Sequence, residues 1–149
     1  MRPVSNNLVK ARYVATLPWC VLLCVASIVS AVWLSWWFYI AAGFFAFLGL
    51  WLLWLIPLQV KNLGWLETED ELLISKGKYW HNFTVVPYGR IQFVDVTAGP
   101  IAKLFGLKTV ELHTASSTSD SEIQGLPATE ADALRDRLAV KARERMSGL

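Results

Sequence analysis

The chain has 149 residues, 54% hydrophobic and 17% charged, with a formal net charge of +2. A soluble domain carries about a quarter charged residues. Here the deficit is local: Tyr13 to Val60 holds no Asp, Glu, Lys, Arg or His over 48 residues, and all 12 acidic residues follow it. A purely soluble domain, a disordered chain and a collagen-like or disulfide-rich scaffold are thereby excluded. One modest soluble module remains, from Lys61 onward.

In chain order, residues 1–12 form a basic tail with Arg2, Lys10 and Arg12. Residues 13–60 read as a transmembrane hairpin. A membrane helix needs ~20 apolar residues, and a single helix of 48 residues would be about 72 Å long. Two helices fit, at roughly residues 17–34 and 38–58, with a turn near Ser35–Trp37. Trp33, Trp36, Trp37 and Tyr39 gather there, as aromatic residues do at a membrane interface. Basic residues flank the hairpin and the turn has none, so the positive-inside rule puts both termini in the cytoplasm. The expected location is therefore a bacterial inner membrane, crossed twice. A cleaved signal peptide ending among Ala26, Ser27, Ser30 and Ala31 is the rival reading. The second apolar segment that follows at once argues against it.

Cys20, Cys24, Ser27 and Ala31 share one face of the first helix, and Ala42, Ala46 and Gly49 one face of the second. Small residues let helices approach closely in lipid, so these stripes are expected to pack against each other; a partner's helix is the alternative. Two thiols one turn apart suit neither a disulfide nor, without His or carboxylate, a metal. The spans carry no charge, which argues against a channel or pump.

Residues 61–149 hold 11 basic and 12 acidic residues, not the basic stripe of a nucleic-acid binder. Strands are expected at Leu63–Glu67, Leu72–Ser75, Tyr79–Val86, Ile91–Thr97, Lys108–Thr114 and Ser121–Gln124. The third alternates Tyr79, Phe83 and Val85 with Trp80, Asn82 and Thr84. In the fourth the apolar phase slips between Phe93 and Val94, which predicts a bulge or burial on both faces. In the fifth, Val110 and Leu112 are expected to face in and His113 out. Gly99–Gly106 suits one short helical turn. A helix follows, with Thr129 and Asp132 as a capping pair and an apolar face of Ala131, Leu134, Leu138 and Ala142. About six antiparallel strands and a covering helix make an α+β membrane protein.

Certain stretches resemble a known family. Pro87-Tyr88-Gly89-Arg90-Ile91-Gln92, Val94-Asp95-Val96, Gly99-Pro100, Leu104-Phe105-Gly106-Leu107, Val110–Ala115 and Ile123-Gln124-Gly125-Leu126 are similar to the bacterial pleckstrin-homology-like (PH-like) domain of YdbS-like membrane proteins. The resemblance implies a PH-like curved sheet or partial barrel closed by a C-terminal helix, membrane-attached. It also implies a partner among membrane proteins bearing such domains. It carries over no catalytic residues. Ser116–Ser119 replaces what is often a Gly-containing turn in that family.

No HExxH, GxSxG, P-loop or GxGxxG pattern occurs, and His81 and His113 lack a nucleophile pattern around them. No enzyme activity, cofactor, metal, nucleic acid or small-molecule substrate is expected. Asp95, inside an apolar strand, is expected to pair with Arg90 or Lys108, or with backbone near Gly99-Pro100. Asn82-Phe83-Thr84 matches a glycosylation sequon by chance, on a cytoplasmic strand. The first hairpin turn, Glu69-Asp70-Glu71, repels phosphate. Lys76 and Lys78, with Arg90, Lys103 and Lys108, are the candidate contacts to lipid headgroups or a partner, worth about 1 kcal/mol per charge at an anionic surface. The expected role is a scaffold that docks a second membrane protein or a second copy through a sheet edge or Gly99–Gly106. Anionic-lipid sensing is the alternative.

Overall fold

The computed structural model describes residues 2–77, 80–115 and 121–148. Contacts divide the chain into two compact units: Val9–Leu58, and the residues up to Leu8 together with those from Gln59 onward. The apolar hairpin is thus inserted into the second unit rather than placed ahead of it.

Helix α1 spans Asn7–Trp33 and α2 spans Phe38–Lys61. The first begins ten residues before the expected span because the polar segment with Lys10 and Arg12 continues the helix; hydropathy marks only the apolar part. Only 6% and 17% of their most apolar windows are buried, so neither is the core helix of a soluble protein. Within the hairpin, Cys24 Sγ lies 3.7 Å from the Ala42 carbonyl, and Gly49 faces Cys20. Ala31 and Ala42 are buried, and Ser27 Oγ donates to its own Leu23 carbonyl at 2.8 Å. Ala46 departs from expectation: it lies exposed, and the inner face runs through Ala42, Phe45 and Gly49. Pro57 lies inside α2 and has no N–H for the carbonyl four residues back. The Tyr13 hydroxyl donates to that carbonyl, Leu53 O, at 2.8 Å.

Among the described residues, the other unit has seven strands in two antiparallel sheets. The first sheet has the order β1 (Arg2–Pro3), β2 (Gly64–Glu67), β3 (Glu71–Lys76), β4 (Asn82–Pro87). A 3-10 turn, Tyr88–Arg90, leads to the second sheet: β5 (Ile91–Thr97), β6 (Leu107–Thr114), β7 (Ser121–Pro127). A short helix, α3 (Pro100–Leu104), joins β5 to β6, and α4 (Ala128–Ser147) closes the unit. The expected α+β curved-sheet architecture is present, with one strand more than expected. That strand is β1. The N-terminal segment is not a separate tail: Arg2 pairs with Trp65 and Pro3 with Gly64. β4 begins at Asn82, not Tyr79; Trp80 and His81 lie before it and Tyr79 is outside the described residues.

Alternation buries Leu72 and Ile74 on β3 and Val110 and Leu112 on β6, and Val86, Ile123 and Leu126 are buried with them, Leu126 returning to the inner face past the bulge at Gly125. The α4 face is the expected one: Ala131, Leu134, Leu138 and Ala142 are buried. Its cap is not. Pro127 stands at the N-cap with no side-chain hydrogen bond, and Asp132 is drawn away by Lys108, 3.1 Å from its carboxylate. A register shift occurs on β5 between Ile91 and Phe93, slightly before the expected slip. Another lies between Lys108 and Val110 opposite β7, which carries Gly125 at φ +75°. Such a bulge needs a residue free to adopt the left-handed region. Leu8 packs against Gly125 so closely that an added Cβ would lie 2.6 Å from Leu8 Cδ2. Ser5 N donates to Gly125 O at 3.0 Å. Residues 2–8 therefore strap both sheets together, β1 on the first and Ser5–Leu8 on the second.

Candidate interaction surfaces

The register of the first sheet defines two ends. At one, Pro3, Gly64, Ser75 and Phe83 form a row across all four strands. The chain enters this row directly from Lys61, the last residue of α2, so it is the span-exit end. At the other, Glu67 lies opposite Leu72, and Glu71 opposite Pro87. Four residues along β3 or β4 separate them by about 13 Å.

The far end is a hollow of about 1170 Å³ between the β2–β3 turn, the 3-10 turn and the last turns of α4. Thr68 shapes the turn: its Oγ1 donates to Glu71 O at 2.7 Å, and Glu71 N donates to that Oγ1 at 3.1 Å. Tyr88, fully buried, donates its hydroxyl to Thr68 O at 2.8 Å. Lys141 Nζ lies 3.5 Å from that hydroxyl and 4.9 Å from the ring centroid. Burial pushes the Tyr88 phenol above its ordinary pKa of 10.0, against the opposing pull of the Lys141 hydrogen bond and charge. Arg137 Nε reaches Glu67 at 3.4 Å, and Arg145 pairs with Asp70. Glu67, Glu69, Asp70 and Glu144 line the hollow against only Lys141 and Arg145. This acidic excess disfavours phosphate and suits a polar or basic surface.

The four described candidates, Lys76, Arg90, Lys103 and Lys108, do not converge. Lys76 ends β3 at the span-exit end, 3.5 Å from Glu122. Arg90 ends the 3-10 turn beyond Pro87, at the far end. Lys103 is on α3, and Lys108 is held by Asp132. Lys78 lies outside the described residues. Asp95 pairs with neither Arg90 nor Lys108; it lies 3.6 Å from His113 Nε2 and is exposed rather than buried, since a bulge turns it outward. His113 stacks on Phe93 at 4.3 Å and lies 3.9 Å from Glu111. Thr97 Oγ1 donates to Glu111 at 2.9 Å. Among the described residues no Ser or Cys nucleophile joins this group, and no three ligands could hold a metal ion.

The span-exit end has features the sequence did not announce. Arg2 lies over the Trp65 ring at 5.5 Å. Ser75 Oγ donates to Asn62 O at 3.3 Å, folding the chain after α2 back onto β3. Arg2, Lys61, His81 and Phe83 line a hollow of about 280 Å³. Trp80 beside it is 81% exposed and Phe83 65%. Register, visible only once the strands pair, brings these residues together.

The sequence pattern of the bacterial PH domain family matches residues 11–142. A curated relative, the transmembrane protein YdbS of Bacillus subtilis (strain 168), is 32% identical over 132 residues, covering 83% of this chain and 79% of the relative. No solved structure matches. The relative's name and the two apolar helices support a membrane location. Sheets of four and three strands closed by a C-terminal helix are consistent with a PH-like fold. The chain belongs to the bacterial PH domain family.

Proposed function

We propose that this protein is a non-catalytic interaction module of the bacterial inner membrane. It crosses the membrane twice with both termini in the cytoplasm, and assembles with a second PH-like membrane protein or with itself. The basic residues Arg2, Lys10, Arg12 and Lys61 flanking an uncharged turn support that orientation. The acidic hollow at the far end carries the interaction reading. It is open, mixed in charge, built on a buried tyrosine, and placed at the end of the sheet away from the span exit. Among the described residues, its lining brings together no nucleophile with a positioned base.

Recovery from native membranes after in-cell crosslinking tests this. A stoichiometric protein or a homo-oligomer is expected, and Glu69→Lys with Glu144→Lys should reduce its recovery severalfold. A lone monomer, or recovery unchanged by the charge reversal, contradicts it.

A further inference from the structure

The span-exit end carries a second surface, independent of the acidic hollow. The β3–β4 connection leaves β3 at Lys76 and enters β4 at Asn82, beyond the row Pro3–Gly64–Ser75–Phe83. Lys76, Gly77 and residues 80–82 therefore lie at the same end of the sheet as Lys61, the last residue of α2. Both chain crossings into the apolar hairpin leave from this unit: Leu8 lies against Gly125 and Lys61 lies beside His81 and Phe83.

The chemistry of this end matches that location. Trp80 and Phe83 are the large apolar residues at it and stay exposed. Arg2 and Lys61 line one hollow with Phe83, and Lys76, 3.5 Å from Glu122, ends β3 at the same end of the sheet. Aromatic rings favour the headgroup layer, and basic residues close to an anionic leaflet are attracted to it. Gly77 makes the tight connection possible: a Cβ there would lie 2.2 Å from the Trp80 carbonyl. The acidic first turn, Glu69-Asp70-Glu71, lies at the opposite end of the strands.

We propose that the span-exit end of the sheet, through Trp80 and Phe83, docks on the anionic surface of the same membrane that the chain spans. Trp80 and Phe83 enter the headgroup layer, and Arg2, Lys61 and Lys76 face anionic headgroups. This holds the unit in one orientation, with the acidic hollow turned to the cytoplasm.

The test uses the full chain with Cys20→Ser and Cys24→Ser, spin-labelled at His81→Cys. It is reconstituted in vesicles of phosphatidylcholine alone or mixed equally with phosphatidylglycerol. A control label is placed at Leu104→Cys. In the mixed vesicles, the label at position 81 should collide with a lipid-soluble relaxant several times more often than the control. Phosphatidylcholine alone, or Trp80→Ala added to the labelled chain, should reduce that ratio severalfold. A label as open to an aqueous relaxant as the control overturns the proposal, and so does immersion indifferent to phosphatidylglycerol. If position 81 instead gives protein adducts in native membranes, this end is a protein interface and the proposal fails.

Discussion

The two ends of the four-stranded sheet are built by different means. The span-exit end is tied by main chain and close apolar contact: β1 paired on β2, Ser5 bonded to Gly125, and Leu8 pressed on a glycine with no room for a side chain. The far end is tied by side chains reaching from α4: Lys141 to Tyr88, Arg137 to Glu67, Arg145 to Asp70. Exposed ion pairs are each worth about 0–1 kcal/mol. They can be exchanged for a partner's charges at small cost, whereas a glycine contact cannot be exchanged at all. The span-exit end is thus held by contacts that admit no substitute, and the far end by contacts that do.

Gly125→Val should break the contrast most severely. It forces a β-branched residue into positive φ and displaces Leu8, costing about 3 kcal/mol. Thermal unfolding of the solubilised full chain should show it, with faster proteolysis before Leu8. A neutral result would mean that the strap is not seated on β7. At the far end, Tyr88→Phe removes the bond to Thr68 O and should cost about 1 kcal/mol. It also has a pH signature. The folded phenol has a raised pKa, so its contribution is complete below about pH 10 and is lost as pH climbs through the folded value. Tyr88→Phe should remove that part of the alkaline loss of stability, and an unchanged alkaline unfolding profile would count against it.

Within the hairpin, Tyr13→Phe leaves the Leu53 carbonyl above Pro57 without its donor. About 0.6 kcal/mol is expected, the average for polar contacts in membrane helices, measurable by unfolding in mixed micelles. The smallest effect on stability should come from Arg145→Ala, within about 0.5 kcal/mol. The same change should lower recovery of a partner more than it lowers stability. If the order were reversed, the far end would be structural rather than presenting.

Much of this was legible in the sequence because it depends on local pattern. The uncharged run, the strand at Ile91–Thr97, and the α4 face of Ala131, Leu134, Leu138 and Ala142 follow from hydropathy and period. The acidic turn Glu69-Asp70-Glu71 was legible as a place that repels phosphate. What was hidden depends on pairings between distant residues. β1 is two residues long, with no period to detect, and exists because Trp65 and Gly64 lie beside it. The Thr129–Asp132 cap gave way to Lys108, 24 residues before Asp132 in sequence. Ala46 shared a nominal stripe with Ala42 and Gly49 but turned outward, because the helix contact centres nearer Phe45. Pro57 did offer a usable signal, a proline that frees a carbonyl one turn back, but Tyr13 is 40 residues from its acceptor. The candidate basic residues were grouped by charge alone, and strand register separates Lys76 from Arg90 by the length of β4.

The division between the two ends can be measured directly with one photo-crosslinker, a diazirine side chain, placed at position 69 or position 81 of the full chain in native membranes. Mass spectrometry of the adducts should find protein at position 69 and phospholipid at position 81. Lipid at position 69 with protein at position 81 would contradict it.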